Sequence, residues 1–195
     1  MKLFLASANA HKAREFQALA YASGLRVSVA PAAEMPAVTE DAGTFSGNAR
    51  KKAKALRARL PAESWVVADD SGLCVDALGG APGVESAYFA GRPSDSAANL
   101  AKLIRELRGA PVEKRGAHFV CVLVLIGPDV EQVFEGRCDG RLLEEARGSA
   151  GFGYDPIFVP AGCGQSFAEL GGEIKNRISH RARAWAKLEE WLNQR

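Results

Sequence analysis

Cysteines are few in this chain and carry no recognisable pairing. Its 195 residues hold four, at Cys74, Cys121, Cys138 and Cys163. No two of them form a C-x-x-C pair, which excludes the usual structural zinc motif and argues against a disulfide framework. Long apolar runs are also missing, since residues 1–6 end at Ser7 and no window approaches a membrane span. We therefore expect a cytoplasmic protein without a secretory signal or a membrane partner.

The sequence also lacks a large excess of charge of one sign and the common nucleotide-binding motifs. The net charge is +2, so nothing indicates a general nucleic-acid or membrane surface. Neither G-x-G-x-x-G after the first strand nor a G-x-x-x-x-G-K-[ST] loop occurs, and the two commonest nucleotide folds lose support. Hydrophobic residues make up 47% and charged residues 25%, as in an ordinary soluble globular protein. A chain of 195 residues can form one domain or two small lobes that share a sheet.

Strand-like and helix-like periods alternate along the chain. Strands are predicted at residues 2–6, 25–30, 65–68, 117–126, 130–136 and 157–159. Helices are predicted around residues 13–20, at 44–60 and 94–107 with Thr44 and Ser94 as N-caps, and at 179–192. A hairpin is expected at residues 127–129. This order predicts an α/β fold with a mixed central sheet flanked by helices.

Two adjacent carboxylates, Asp69 and Asp70, end the apolar strand of residues 65–68 and are followed by Ser71 and Gly72. Like charges crowded at a strand end raise a pKa or recruit a divalent cation. The alternative is a solvated acidic turn. In an extended strand the two side chains would point to opposite faces. We therefore predict that the chain turns at residues 71–72, with Asp70 nearest a metal and Asp69 in the same shell.

Two further patches fit an anionic ligand. One is the small polar turn that opens the first helix: Ser7, Ala8, Asn9, Ala10, His11 and Lys12. Free backbone N–H groups and a lysine there make a phosphate cradle, although a simple capped turn is the alternative. The other is Glu40, ahead of a helix that carries Lys52. Glu40 can join the aspartates around Mg²⁺ and Lys52 can reach a phosphate, unless this is only a solvated helix start.

The last two patches lie near the C-terminus. Phe152, Gly153, Tyr154 and Asp155 combine glycine with rings that can stack on a flat ligand, although a core aromatic in a tight turn is the alternative. Lys175, His180 and Arg181 concentrate cations at the predicted start of the last helix. Cations there oppose the helix dipole, which suggests a bound anion or donors reserved for a ligand.

These blocks together resemble the Ham1/RdgB family of inosine triphosphate pyrophosphatases, in the family's order from residue 3 to the final helix. The blocks are S-x-N-x-x-K at residues 7–12, residues 40–49, A-D-D-S-G-L with its continuation to Gly83, F-G-Y-D-P at 152–156 and S-H-R-A at 179–182. The resemblance implies Mg²⁺-dependent hydrolysis of ITP, dITP and XTP to the monophosphate and pyrophosphate. It also implies an elongated mixed sheet, two lobes around a long active-site cleft, one domain over residues 1–195, and a homodimer.

The resemblance also implies roles. Asp70 would be the proton acceptor with Asp69 beside it, and Glu40, Asp70 and Asp69 would hold the metal. The triphosphate would contact Ser7, Ala8, Asn9, Ala10, His11, Lys12 and Lys52, with Ser71 touching the substrate. The base would be surrounded by Phe152, Gly153, Tyr154, Asp155, Lys175, His180 and Arg181. Two positions depart from the family pattern: Gly47 replaces a common glutamate, and Tyr88 replaces an arginine.

Two other function classes stay open on the sequence alone. An aspartate-nucleophile phosphohydrolase also places an aspartate after a strand, but it requires D-x-D spacing and this chain has D-D. A nucleotide- or nucleic-acid-binding module would use the basic helix of residues 50–59, and it leaves the aspartate pair without a role.

Overall fold

The computed structural model describes residues 1–24, 26–32 and 34–195, in which six strands form a sheet of order β2-β1-β3-β4-β5-β6. The strands are β1 (Lys2–Leu5), β2 (Ser28–Pro31), β3 (Trp65–Val75), β4 (Gly116–Gly127), β5 (Val130–Leu142) and β6 (Phe158–Pro160). The helices are α1 (Ala10–Ala22), α2 (Phe45–Arg57), α3 (Ser96–Glu106), α4 (Phe167–Ile178) and α5 (His180–Asn193). Short 3-10 turns occupy Asp76–Leu78, Gly83–Tyr88 and Val112–Lys114.

The sheet is mixed, as the alternation of elements predicts. Strand β1 pairs in parallel with β2 and β3, whereas β5 and β6 are antiparallel. Strands β4 and β5 are neighbours joined by two residues, and Asp129 there has a φ of 55°. A loop this short joins only antiparallel strands, so the predicted hairpin is confirmed. The α/β class with helices flanking a mixed sheet is confirmed too.

The chain divides into two compact units. Unit 1 comprises residues 1–70, 121–136 and 181–195, and unit 2 comprises residues 71–120 and 137–180. Unit 2 has one core, in which Leu73, Phe119, Phe158 and Phe167 are buried. The single domain over residues 1–195 stays a prediction. None of the helices in the described residues has the length and apolarity that a membrane crossing requires.

The described residues of unit 1 form two cores, and β3 contributes alternate residues to them. Val67 belongs to the core that includes Phe16 of α1 and Trp185 of α5. Val66 and Ala68 belong instead to the core that includes Ala49, Ala53 and Leu56 of α2. Because successive side chains of a strand point to opposite faces, the residues that follow inherit this alternation. Asp69 is thus directed toward α1 and α5, and Asp70 toward α2.

Several sequence predictions need correction. Strand β3 continues through Ser71 and Gly72 to Val75, so the predicted turn at residues 71–72 is wrong. The second strand begins at Ser28, and Leu25, its predicted first residue, lies outside the described residues. Helix α4 was not predicted: it begins with a capping box of Ser166 and Glu169.

Helix α4 also changes the meaning of the C-terminal cations. Lys175 and Arg177 lie in its last turn, and Ser179 is its C-cap. Cations in a last turn are favoured by the helix dipole. The argument that Lys175 sits at an unfavourable helix start, and therefore implies an anion, was wrong. Only His180 and Arg181 begin a helix.

The N-cap of α3 gives a matched stability test. Thr44 caps α2 as predicted, but α3 is capped by Asp95, which accepts hydrogen bonds from Ala97 and Ala98, rather than by exposed Ser94. We expect Asp95→Ala to lower the free energy of unfolding by about 1 kcal/mol, because the first turn loses its acceptor. Ser94→Ala should leave it unchanged. Urea unfolding of both variants measures this, and equal losses would contradict the Asp95 cap.

Candidate active site

Asp69 is a fully buried carboxylate held by two cations in unit 1. Its Oδ2 lies 2.8 Å from Lys12 Nζ and 3.8 Å from a terminal nitrogen of Arg181. Arg181 is also buried and is hydrogen-bonded to Glu15 of α1. Burial raises the pKa of Asp69, but Lys12 and Arg181 outweigh it and lower that pKa from 3.8 to about 2. Asp69 is therefore ionised at neutral pH, where it orients Lys12.

Asp70 lies against a different set of groups, all on the α2 side of β3. Its Oδ1 accepts a hydrogen bond from Lys52 Nζ at 3.0 Å, and its Oδ2 accepts one from Asn48 Nδ2 at 3.2 Å. Burial raises the pKa of Asp70 despite the attraction of Lys52. A carboxylate made more basic in this way is suited to accept a proton.

Lys52 joins Asp70 to Glu40. Its Nζ lies 2.9 Å from Glu40 Oε2 and 3.0 Å from Asp70 Oδ1. Burial acts against the charged ammonium, but the negative charges of Asp69, Asp70 and Glu40 outweigh it and raise the pKa of Lys52. Two carboxylates from separate elements thus converge on one cation.

This convergence bears on the predicted metal. In the described part of the chain no three acidic, histidine or cysteine side chains are grouped as a metal site. Oxygen atoms of Glu40 and Asp70 nevertheless both contact one positive group, Lys52 Nζ. Carboxylate oxygens are the ligands that Mg²⁺ prefers, so this pair fits a divalent cation. Asp69 has its Oδ2 on Lys12 instead.

The turn before α1 is a capped helix start. Asn9 is the N-cap, and its Oδ1 accepts hydrogen bonds from the backbone N–H groups of His11 and Lys12. Ser7 Oγ accepts from Asn9 N at 3.2 Å. Ala8 and Ala10 complete this turn, which places the positive end of the α1 dipole beside Lys12. Two of the N–H groups expected to cradle a phosphate thus already have an acceptor.

The predicted base-binding residues, except Arg181, belong to unit 2. Asp155 and Lys175 form a buried ion pair with 2.5 Å between Oδ2 and Nζ. The same Asp155 oxygen accepts a hydrogen bond from Phe152 N at 2.8 Å, and Lys175 Nζ lies 4.6 Å from the centroid of the Phe152 ring. Between them, Gly153 has a φ of 64°, a conformation that favours glycine. This tight turn therefore presents a partly exposed Phe152, and the Asp155–Lys175 ion pair holds the turn in place.

Two other residues that were predicted to contact the base, Tyr154 and His180, are buried in unit 2. Tyr154 is 5% exposed, and its hydroxyl donates a hydrogen bond to Ser86 O at 2.9 Å. His180 is buried and stacks on Phe119 with 4.6 Å between ring centroids. Ser71 is a partly exposed residue of β3. Burial of Tyr154 favours Phe152 as the ring that meets a ligand.

Two residues of unit 1 were not singled out from the sequence. Asn48 bridges Asp70 and the backbone N–H of Ala42, and Glu15 binds Arg181. Asn48 lies within the block of residues 40–49, so its place in that block was the available indication. Glu15 follows Lys12 by three residues on α1, and no pattern distinguished it from a surface acid.

The Ham1 family matches residues 3–191. A dITP/XTP pyrophosphatase of Opitutus terrae is 64% identical over 201 residues, covering 98% of both chains. A dITP/XTP pyrophosphatase of Shouchella clausii is 47% identical over 192 residues, covering 98% of this chain and 96% of the other.

Solved structures agree with the sequence relatives. The Ham1 protein of Staphylococcus aureus has a TM-score of 0.85 and 36% identity, covering 100% of this chain and 99% of the other. A HAM1 protein from Coxiella burnetii has the same TM-score, 0.85, at 35% identity, with both chains fully covered. Sequence and fold therefore lead to one conclusion: the chain belongs to the Ham1 family.

Proposed function

We propose that this chain hydrolyses the non-canonical purine nucleoside triphosphates ITP, dITP and XTP to the monophosphate and pyrophosphate. The observation that carries the proposal is the buried Lys52 ammonium between the carboxylates of Glu40 and Asp70. A site of this kind offers both charges that phosphate hydrolysis requires: cations for the phosphate oxygens and a carboxylate for the water proton. Relatives up to 64% identical are named dITP/XTP pyrophosphatases.

The metal proposed for this reaction is Mg²⁺, which Asp70 and Glu40 would hold. Asp69, the third predicted ligand, has its Oδ2 on Lys12 instead. When bound, Mg²⁺ would neutralise phosphate charge and favour departure of pyrophosphate. A dication held by the carboxylates of Glu40 and Asp70 would supply positive charge there, and Lys52 would then be available to bind a phosphate oxygen. Lys12, held by Asp69, offers a second positive charge next to the α1 N-terminus, where Ser7, Ala8, Asn9, Ala10 and His11 complete the proposed triphosphate contacts.

Asp70 is the proposed proton acceptor. Without a metal, burial raises its pKa, and Asn48 and Lys52 each donate a hydrogen bond to one of its oxygens. Water then attacks the α-phosphorus in line with the departing pyrophosphate, and Asp70 takes the proton that the water loses. Asp69, with its pKa near 2, is the weaker base and acts by orienting Lys12.

Base selection follows from hydrogen-bond polarity. Hypoxanthine and xanthine present an acceptor at position six, where adenine presents an amino donor. Donors from Lys175, His180 and Arg181 would leave the adenine amino group facing other donors, and buried mismatches of this kind discriminate by roughly 10⁴-fold. Arg181 would do so while bound to Glu15. Ser71 and the turn of residues 152–155 complete the proposed contacts to the nucleoside.

Phe152 is the proposed stacking ring, which gives a prediction. We expect Phe152→Leu to raise KM for ITP about 10-fold, because stacking on a base is worth roughly 1–3 kcal/mol. Tyr154→Phe should leave KM unchanged and lower the free energy of unfolding by about 1 kcal/mol, since it removes only the hydrogen bond to Ser86 O. Steady-state kinetics and urea unfolding measure both. An unchanged KM for Phe152→Leu would contradict the stacking role.

Two further proposals concern the oligomeric state and the location of the enzyme. We propose a homodimer, which follows from the family resemblance, and a cytoplasmic location. The second is supported by the cysteines, because none of the four forms a disulfide in the described residues. Cys121 is buried, and burial raises its thiol pKa to about 12, so it is unreactive.

The activity is tested by measuring phosphate release from ITP, XTP, dATP and dGTP, with and without Mg²⁺ and an added inorganic pyrophosphatase. We expect ITP and XTP to yield phosphate when both Mg²⁺ and the pyrophosphatase are present, and to yield none when either is missing. Orthophosphate without the added pyrophosphatase would indicate a phosphohydrolase instead. Tight nucleotide binding without turnover would indicate a binding module.

A further inference from the structure

Asn48 uses both ends of its side chain, although it is only 1% exposed. Its Nδ2 donates a hydrogen bond to Asp70 Oδ2 at 3.2 Å, and its Oδ1 accepts one from the backbone N–H of Ala42 at 3.0 Å. Ala42 lies two residues beyond Glu40, whose carboxylate binds Lys52. The carboxamide therefore ties the backbone that carries Glu40 to the carboxylate of Asp70.

Gly47 makes this tie sterically possible. A Cβ added at Gly47 would lie 2.6 Å from Ala42 Cβ and 2.9 Å from Thr44 Oγ1. The first distance is shorter than any real contact between side-chain carbons, so a side chain at position 47 would push Ala42 away from α2. Gly47 is also where the chain departs from the glutamate common in its family. Glycine at this position therefore leaves room for the close approach of Ala42 to α2.

We propose that Asn48 is a positioning residue that holds Glu40 and Asp70 in one geometry for a divalent cation, and that Gly47 permits the backbone approach on which this depends. The inference rests on the proposed function, because it assigns a task to the acids of that site. It adds residues that touch neither substrate nor metal. An outer contact that orients metal-binding carboxylates commonly changes metal affinity or activity about 10- to 100-fold.

Asparagine suits this position because it presents a donor and an acceptor from one planar group. A carboxylate accepts hydrogen bonds only, and a backbone N–H donates only, so no apolar side chain serves either partner. Asn48→Leu, of similar volume, removes both hydrogen bonds. Gly47→Ala leaves the Asp70 contact available and displaces Ala42. Adding Ala42→Gly to that variant then removes the carbon that the new methyl group would meet at the shortest distance.

The test measures Mn²⁺ binding to the substrate-free protein by electron paramagnetic resonance, together with ITP turnover over a range of Mn²⁺ concentrations. We expect Gly47→Ala and Asn48→Leu to weaken Mn²⁺ binding about 10- to 100-fold. Excess Mn²⁺ should restore much of the Gly47→Ala turnover. The melting temperature of Gly47→Ala should not fall in parallel with the Mn²⁺ affinity, because alanine favours the helix in which residue 47 lies. Gly47→Ala combined with Ala42→Gly should recover most of the Mn²⁺ affinity.

Gly164→Ala is the matched control, since a Cβ there meets no atom within 4 Å and should change neither readout. Wild-type Mn²⁺ affinity in Gly47→Ala, or no recovery in the double variant, would overturn the inference. Failure of the wild-type protein to hydrolyse ITP would instead overturn the proposed function. The Mn²⁺ titrations would still decide whether residues 47 and 48 position the acids.

Discussion

Replacing Asp70 with asparagine is expected to lower kcat for ITP about 10³-fold without lowering the melting temperature. The amide keeps the shape of the side chain and can still accept a hydrogen bond from Asn48 or Lys52, but it cannot take the proton of the attacking water. Lys52 keeps its contact with Glu40 at 2.9 Å, so no buried cation is left without a partner.

The stability of this variant follows from the direction of the pKa shift. Burial raises the pKa of Asp70 above its ordinary value of 3.8, so the folded protein disfavours the ionised form more than the unfolded chain does. Ionised Asp70 therefore costs stability at neutral pH, a cost that vanishes as the pH falls below 3.8. Asp70→Asn removes this cost, but its amide nitrogen then faces a donor of Lys52 or Asn48, so its melting temperature should stay near that of the wild type. Near-wild-type turnover would contradict the role of Asp70 as base.

The same substitution one residue earlier is expected to lower the stability of the protein. Asp69→Asn removes the negative charge between Lys12 and Arg181, at 2.8 and 3.8 Å. Removing one partner from a buried ion pair typically costs about 3–5 kcal/mol. Arg181 keeps Glu15, so we expect a loss of about 2–3 kcal/mol at pH 7.

The pH dependence gives this prediction its sign. The pKa of Asp69 is lowered from 3.8 to about 2, so its stabilising effect is complete above pH 3.8 and is lost as the pH falls toward 2. The difference in unfolding free energy between wild type and Asp69→Asn should therefore be largest at neutral pH and shrink toward pH 2. Urea titrations at several pH values measure it, with Asp70→Asn as the matched control. A constant difference across this range would contradict the buried pairing.

The sequence indicated the acids and the order of the elements because both depend on local pattern. Val66 to Ala68 is an apolar run that only a buried strand explains, and Asp69 and Asp70 break it abruptly. The mixed sheet and the hairpin at Asp129 follow from the same kind of pattern. Residue type and position identified Thr44 as a cap, although the same signal chose Ser94 where Asp95 is the cap.

What the sequence could not supply was which groups face each acid. The predicted turn at Ser71 failed because β3 continues, and a continuing strand separates the partners of Asp69 from those of Asp70. Helix α4 was missed since Gly171 and Gly172 argue against a helix, and its Gly171 indeed has a φ of 77°. Lys175 was therefore assigned to the wrong end of a helix. Asn48 acts through Ala42, a contact that Gly47 permits and that no periodicity reveals.

The site of water attack tests the central claim most directly. The protein hydrolyses ITP with Mg²⁺ in H₂¹⁸O, the products are separated, and mass spectrometry measures the ¹⁸O content of each. If Asp70 directs water to the α-phosphorus, one ¹⁸O atom enters the inosine monophosphate and none enters the pyrophosphate. Label in pyrophosphate, or in orthophosphate released directly, would contradict the account.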